Sequence, residues 1–344
     1  MNISRRNFLW ATAGTGLFGI AGCGGSGSGG ANGGSGGRKF KLAYEGPKGT
    51  AHEIAANVFQ EGLDKASNSE LSIQQFPAGQ LGGEPELLEK VRSGDIDFIL
   101  SSTANAAAIA PPSGILSAHY LFGNQDDVIS VVSNEAVNEA YMEMAKSQVS
   151  GARPLTMFTL PLRNFYADFA VRTINDIKGK KIRVQATKTE DKIFAAYGAQ
   201  TVHMGFPELY SSLQTGVVEM AENALTYYGL NKHYEVAPTM SFSEHAGNCQ
   251  ILWVSDKLWK SMSPDERSAV TQAAMKVRKE QPTKAFELQG ELKSKYGEMG
   301  VQFIENVDKS GFQEISLPLQ DEIAESLGDN AVTILEKVRK VTDG

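Results

Sequence analysis

The sequence predicts an α/β protein of two similar lobes, each an open sheet flanked by helices, with a ligand cleft between them. Three observations carry this reading. About 305 residues follow a flexible N-terminal stretch, more than one small core needs. Strand-like and helix-like segments alternate along them, the pattern of open sheets covered by helices. A helix–Gly–strand unit also recurs. Gly83-Glu84-Pro85-Glu86-Leu87, with Val91, Gly94, Ile96, Asp97 and Phe98, is echoed 122 positions later. The echo is Gly205-Phe206-Pro207-Glu208-Leu209, with Leu213, Gly216, Val218, Glu219 and Met220. Each copy puts proline at a helix start, stops at glycine and enters a strand, IDFIL in one and VVEMA in the other.

In order along the chain, Phe40, Leu42 and Tyr44 alternate as a first strand that Glu45 ends. Thr50 and Glu53 have capping-box spacing ahead of a helix with Ile54 and Val58 on one face. Leu71 and Ile73 form a second strand before Pro77. In KKIRVQ, Ile182 and Val184 alternate with charge behind the turn-forming DIKGK. Ser263-Pro264-Asp265-Glu266 starts a helix that continues through Val270, Ala274 and Val277, and Pro282 is expected to kink or interrupt it. Open α/β sheets bind ligands beyond the carboxyl ends of their strands. The repeat therefore aims the loop with Ser101 and Ser102 and the loop with Glu222 and Asn223 at one cleft. Residues 38–160 and 249–288 are expected to form lobe I, and residues 161–248 and 289–344 lobe II.

Residues 1–22 read as an export signal rather than structure. Arg5-Arg6 has the twin-arginine form, and the apolar run behind it is too short to span a bilayer as a stable helix. It ends in Ile20-Ala21-Gly22-Cys23, a lipobox in which cleavage leaves Cys23 to be lipidated. Residues 24–37 are Gly/Ser-rich and form a flexible tether with an end-to-end distance of roughly 20 Å. With Cys23 carrying lipid, Cys249 stands alone, so no intrachain disulfide is available and Cys249 is expected to pack as a small apolar residue. Cleavage removes two arginines and no acid, leaving 31 basic against 40 acidic side chains, a net −9. That balance argues against nucleic acid, and any anion site must work locally against the overall field.

The most informative stretch runs from Arg163 to Asn223. Guanidinium is the side chain best matched to a carboxylate, because its planar fork donates two parallel hydrogen bonds. Arg163 and Arg183 lie twenty positions apart, and Asn223 follows forty further on. From spacing alone, Arg183 in its short strand is more often an internally paired arginine than one waiting for an anion. The wording of the segment adds to this. KGKKIRV followed by GFPELYSSLQTGVVEMAEN closely resembles the signature of solute-binding proteins of tripartite ATP-independent periplasmic (TRAP) transporters. The resemblance extends over most of residues 39–340, including FPAGQLGGEPELLEKVRSGDIDF and LWKSMSPDER.

The resemblance implies a two-lobed periplasmic-binding-protein fold and an extracytoplasmic protein that binds a small organic acid and delivers it to membrane permease subunits. It implies that Arg183 grips the ligand carboxylate, with Arg163 a second contact, Asn223 an amide donor and Phe206 an apolar wall. Glu45 and Glu84 match family positions that line the cleft, although Glu84 also suits a helix N-terminus for its own sake. Ser102 and Tyr227 are expected as neutral polar neighbours. Ala224 departs from the proline usual in the family, which puts the rigidity of the loop after Asn223 in doubt. No cofactor or metal is expected, since none of His52, His119, His203, His233 and His245 has metal-ligand spacing. No nucleophile–base motif of a secreted enzyme is visible. Acidic neighbours favour a sugar acid or hydroxy acid. A four-carbon dicarboxylate remains open, as does an acid-sensing lipoprotein that signals to a receptor.

Overall fold

The computed structural model describes residues 37–342; the residues before Gly37, read above as an export signal, a lipidated Cys23 and a tether, lie outside the described residues. Strand–helix alternation opens the chain: β1 Arg38–Ala43, α1 Ala51–Ala66, β2 Leu71–Phe76, α2 Glu84–Ser93 and β3 Phe98–Ser102. Short α3 Thr103–Ala106 and a 3-10 turn at Pro111–Ser117 lead into α4 Gln125–Ser133, α5 Glu135–Gln148 and the long strand β4 Ala152–Ala167. The second copy follows as β5 Lys181–Val184, α6 Lys188–Ala196, β6 Gln200–His203, α7 Leu209–Gln214 and β7 Met220–Asn223. Then come α8 Leu225–Leu230, β8 Thr239–Ser255, α9 Asp256–Ser261, α10 Pro264–Glu298, β9 Gln302–Ile304, α11 Ser310–Leu327 and α12 Asp329–Thr342.

The sheet order is β2-β1-β3-β8-β4-β7-β5-β6, with β9 added beside β8. In each half three strands run parallel, and the strand that follows the repeat glycine pairs antiparallel with a long strand, β3 with β8 and β7 with β4. The halves are thus two open sheets, as expected, but β8 and β4 also pair with each other and fuse them into one. The repeat is visible in the backbone. Gly83 and Gly205 are both extended, a proline sits in the first turn of each copy, and Gly94 and Gly216 both take the left-handed region at φ 79° and 72°. A side chain there would strain the stop that separates helix from strand. The second copy is less regular, its helix opening with a 3-10 turn at Phe206–Glu208 before the six residues of α7.

Successive strand residues point to opposite faces, and each face carries its own core. Phe98, Leu100, Leu252 and Val254 pack with α1 and α10 on one side. Ile99, Ile251 and Trp253 pack with α2, α4, α5 and α12 on the other. Cys249 is buried in that second core, packed as the small apolar residue anticipated from the sequence. The final helix α12 packs on α4, α5 and the Pro111–Ser117 turn, all in the first half of the chain, whereas the sequence grouped residues 289–344 with the second lobe.

Two local expectations fail for identifiable reasons. Thr50 does precede α1, but its hydroxyl donates back to the Pro47 carbonyl and Glu53 accepts from the Gly49 N–H, so the capping box does not form. The box at Ser263 and Glu266 does form in both directions. Helix α10 continues for 35 residues straight past Pro282. Proline lacks the N–H that would satisfy the carbonyl four residues earlier. That carbonyl belongs to Arg278 and accepts from Ser133 Oγ of α4 at 3.3 Å. Beside it, the buried Gln281 side chain donates to the carbonyls of Ala51 and Thr159 and accepts from the Thr159 N–H, tying the helix to α1 and β4.

Candidate functional site

The fused sheet brings the carboxyl ends of β3, β5 and β7 together above the β4–β8 seam. Ser101 and Ser102, and Glu222 and Asn223, are the last residues of their strands rather than loop residues. The cavity there is lined by Glu45, Glu84, Ser102, Arg163, Arg183, Phe206, Asn223 and Tyr227, joined by Leu160, Gln185, Asn248 and Gln250. All eight side chains singled out from the sequence therefore face one space, and each is buried. The space is small, about 20 Å³, room for about one water molecule.

The two arginines differ. Strand β4 holds Arg163 beside β7, where Nε pairs with Glu222 Oε2 and Nη2 donates to the Glu222 carboxylate and backbone carbonyl. Its charge is thereby matched internally; burial works to raise the Glu222 carboxyl, but Arg163 outweighs it and holds the group down at about 2. Only Nη1 reaches forward, 3.5 Å from Asn223 Oδ1. His245 closes the back of this pair: its Nε2 stops 3.5 Å from Glu222 and its ring stacks on Phe165. Burial keeps that imidazole neutral by lowering it to about 3.

Arg183, on β5, takes the other option. Its Nε and Nη2 donate to the Met204 carbonyl at 3.2 and 3.0 Å, and its guanidinium carbon lies 5.5 Å from the Phe206 ring centre. No carboxylate lies within ion-pair distance of it among the described residues, although it is only 4% exposed. Internal pairing, favoured by spacing alone, applies to Arg163 and not to Arg183.

Opposite the arginines stand two acids. Glu84, the first residue of α2, accepts through Oε2 from the Ser102 N–H, the Ser102 hydroxyl and Asn105 Nδ2, at 2.8, 2.6 and 2.8 Å. Ser102 in turn accepts from Gln185 Nε2 at 2.8 Å, a bond between the two halves. Glu45 has a poorer environment. Burial first, and the nearby Glu84 second, push its carboxyl up to about 8, while Arg183 and the Glu84 backbone N–H pull the other way. A run of hydrogen bonds completes the floor. Tyr227 meets His52 Nδ1 at 2.5 Å, His52 Nε2 meets Gln250 Oε1 at 3.0 Å, Gln250 donates to Asn248, and Asn248 donates to Asn223 Oδ1. Asn223 Oδ1 also accepts from the Ala224 N–H, which leaves its Nδ2 as a donor toward the cavity. Gly46 makes room for this: a Cβ there would lie 2.3 Å from the Tyr227 hydroxyl.

Residues 42–327 match the family of bacterial extracellular solute-binding proteins, family 7. The chain belongs to this family. A "Solute-binding protein" of Chromohalobacter salexigens is 30% identical over 280 residues, covering 81% of this chain and 81% of that protein. Two solved TRAP periplasmic solute binding proteins share the two-lobed fold at TM-score 0.81 and 26% identity, covering 88% of this chain and 99% of theirs. One, from Xanthobacter autotrophicus Py2, has β-D-galacturonate bound; the other, from Citrobacter koseri, has D-glucuronate.

In this family 7 protein a larger hollow of about 660 Å³ lies between α1 and α10, lined by Lys65, Met275, Lys276, Arg278 and Lys279. Its cations are solvated, and Lys276 is already shared between Glu61 and Glu280, so the small cleft with its converging buried polar groups is the candidate site. Sequence reasoning left out Leu160, Gln185, Asn248 and Gln250, and it placed Glu222 beside Asn223 without giving it a partner. Amides in strands carry no local signature. The one usable signal is pairing register, since Ser102 lies opposite Gln250 across β3 and β8. Among the described residues no group of three or more His, Cys, Asp or Glu side chains is placed to hold a metal ion, and no helix is long and apolar enough to cross a membrane.

Proposed function

We propose that this chain is the extracytoplasmic binding component of a TRAP transporter, and that it captures a sugar acid or related hydroxy acid and hands it to permease subunits in the membrane. The observation that carries this is Arg183. A buried cation without an ionic partner is costly, and an incoming carboxylate supplies the partner that Glu222 supplies to Arg163. Arg183 then anchors the ligand, Arg163 Nη1 and Asn223 Nδ2 add donors, and Phe206 forms the apolar wall. Glu84, Ser102, Glu45 and Tyr227 receive the hydroxyl end. The Glu84 carboxylate at that end disfavours a second carboxylate but accepts from hydroxyl donors, which favours a sugar acid over a four-carbon dicarboxylate. The galacturonate and glucuronate bound by the two similar proteins support the same class.

The protein is a passive binder in this reading, its two half-sheets parting and closing about the β4–β8 seam. Its attachment to the membrane is a lipid on Cys23 reached through the Gly/Ser tether. The test is a thermal-shift panel of uronates, aldonates, keto acids and dicarboxylates. A ligand at a hundred times its dissociation constant stabilises by about 2.7 kcal/mol, so a uronate or aldonate should raise the melting midpoint clearly. A shift confined to dicarboxylates overturns the sugar-acid assignment, and no shift with any acid overturns the organic-acid reading.

A further inference from the structure

Glu45 is the one acid of the cleft that the fold leaves poorly served. It follows β1, 9% exposed, in a cavity of about 20 Å³ that it shares with Glu84 and Arg183. Among the described residues, six ionisable groups stand nearest it. Tyr44 precedes it, and His52 of α1, Glu84 of α2, Arg163 of β4, Arg183 of β5 and Tyr227 of α8 surround the same space. His52 is kept neutral by burial, and Tyr44 and Tyr227 are held as neutral phenols by the same cause. Arg163 is matched by Glu222. What acts on Glu45 as charge is therefore Glu84, which repels its ionised form, and Arg183, which favours it. Glu84 is supported by three side-chain and backbone donors, whereas Glu45 receives only the Glu84 backbone N–H among the described residues. Hydrogen bonds favour the charged form of the acid that receives them, so the proton of this pair is placed on Glu45.

We propose that Glu45 is a proton-carrying specificity residue: it holds a proton when the cleft closes on an organic acid, so that capture of the anion is linked to proton uptake and Glu45 donates a hydrogen bond to a ligand oxygen. This rests on the sugar-acid reading above and deepens it. The free protein already holds the Glu45 carboxyl up at about 8. A bound carboxylate adds a negative charge and occupies Arg183, the one cation that favours ionised Glu45. Both effects tighten the proton. The site then offers an acceptor through the unused Oε1 of Glu84 and a donor through Glu45. That combination suits adjacent hydroxyl or ring oxygens and discriminates against any ligand lacking them.

The sign is fixed by linkage: the bound form holds more proton than the free form, so affinity falls as pH rises. For one proton that leaves near pH 8 in the free protein and is retained in the complex, the dissociation constant rises about tenfold from pH 7 to pH 9. Calorimetry with D-galacturonate and D-glucuronate in buffers of different ionisation enthalpy reads the proton count directly. We expect it to rise from near zero at pH 6.5 toward one proton taken up at pH 9. In Glu45→Gln the ratio of dissociation constants between pH 9 and pH 7 should collapse toward one, whatever the absolute affinity. Carbon-13 NMR of glutamate-labelled protein without ligand should show a carboxyl resonance titrating near pH 8 that is missing from Glu45→Gln. Binding with no proton uptake, an unchanged pH ratio in Glu45→Gln, or no such resonance overturns the proposal. Absence of binding by either acid overturns the reading beneath it, while the resonance still decides where the proton sits.

Discussion

Arg163 and Arg183 have the same side chain in the same sheet and opposite circumstances. The difference comes from a neighbour that spacing does not reveal: β7 pairs with β4 so that Glu222 falls against Arg163, while β5 turns Arg183 toward a carbonyl. Removing one member of a buried charged pair costs about 2–5 kcal/mol. Arg183→Ala should therefore weaken binding by that amount in calorimetry, and Arg183→Lys should recover little, since a point charge does not reproduce the planar fork. Micromolar or tighter binding by Arg183→Ala would remove Arg183 as the anchor. Residue types were legible where they carried charge or stood in a recognisable phrase, which is why Glu45, Glu84 and Asn223 could be named from sequence. Gln185 and Asn248 could not, because each becomes meaningful only when the strand ends meet.

Elements were legible from their punctuation. The paired glycines and prolines of the repeat fixed both helix–strand units, and Ser263 with Glu266 fixed the start of α10. The proline at position 282 misleads because its consequence is repaired at a distance, by Ser133 on another helix. An unmet carbonyl costs about 1 kcal/mol. Ser133→Ala should lower stability by roughly that amount in urea unfolding. The same substitution in a Pro282→Ala background should cost less, because the restored N–H satisfies Arg278 from within the helix. Equal losses in both backgrounds would show that Ser133 acts by some other contact. The length of α7 and the fusion of the half-sheets through β4 and β8 had no local sign at all, since pairing between strands nearly ninety residues apart is a property of the assembled sheet.

At the scale of the molecule, the interior stores neutral imidazoles. Burial lowers His233 and His245 to about 3 and lowers His52 as well. Below pH 6.5 the unfolded chain binds protons that the fold refuses, so stability present at neutral pH is lost as pH falls toward 3. His233 and His245 should each contribute a loss of roughly 2 kcal/mol between pH 7 and pH 5. Glu45 works in the opposite sense. Its raised value means the fold holds a proton that the unfolded chain releases, so its contribution is lost as pH rises from about 4.5 to about 8 and partly masks the histidines. Calorimetric melting from pH 8 to pH 5 should show a steeper acid loss in Glu45→Gln than in the unsubstituted protein. A midpoint in Glu45→Gln that does not move down to pH 5 would contradict the buried-histidine account. The tight cavity also sets a clock. A space of about 20 Å³ between the half-sheets holds no sugar acid as they stand, so on the reading proposed above a solute enters only when they part. As solute concentration rises, the observed rate of capture levels off at the rate of parting, one value common to every acid that binds. The tempo of loading is then a property of the β4–β8 seam, and the solute decides only how long it stays.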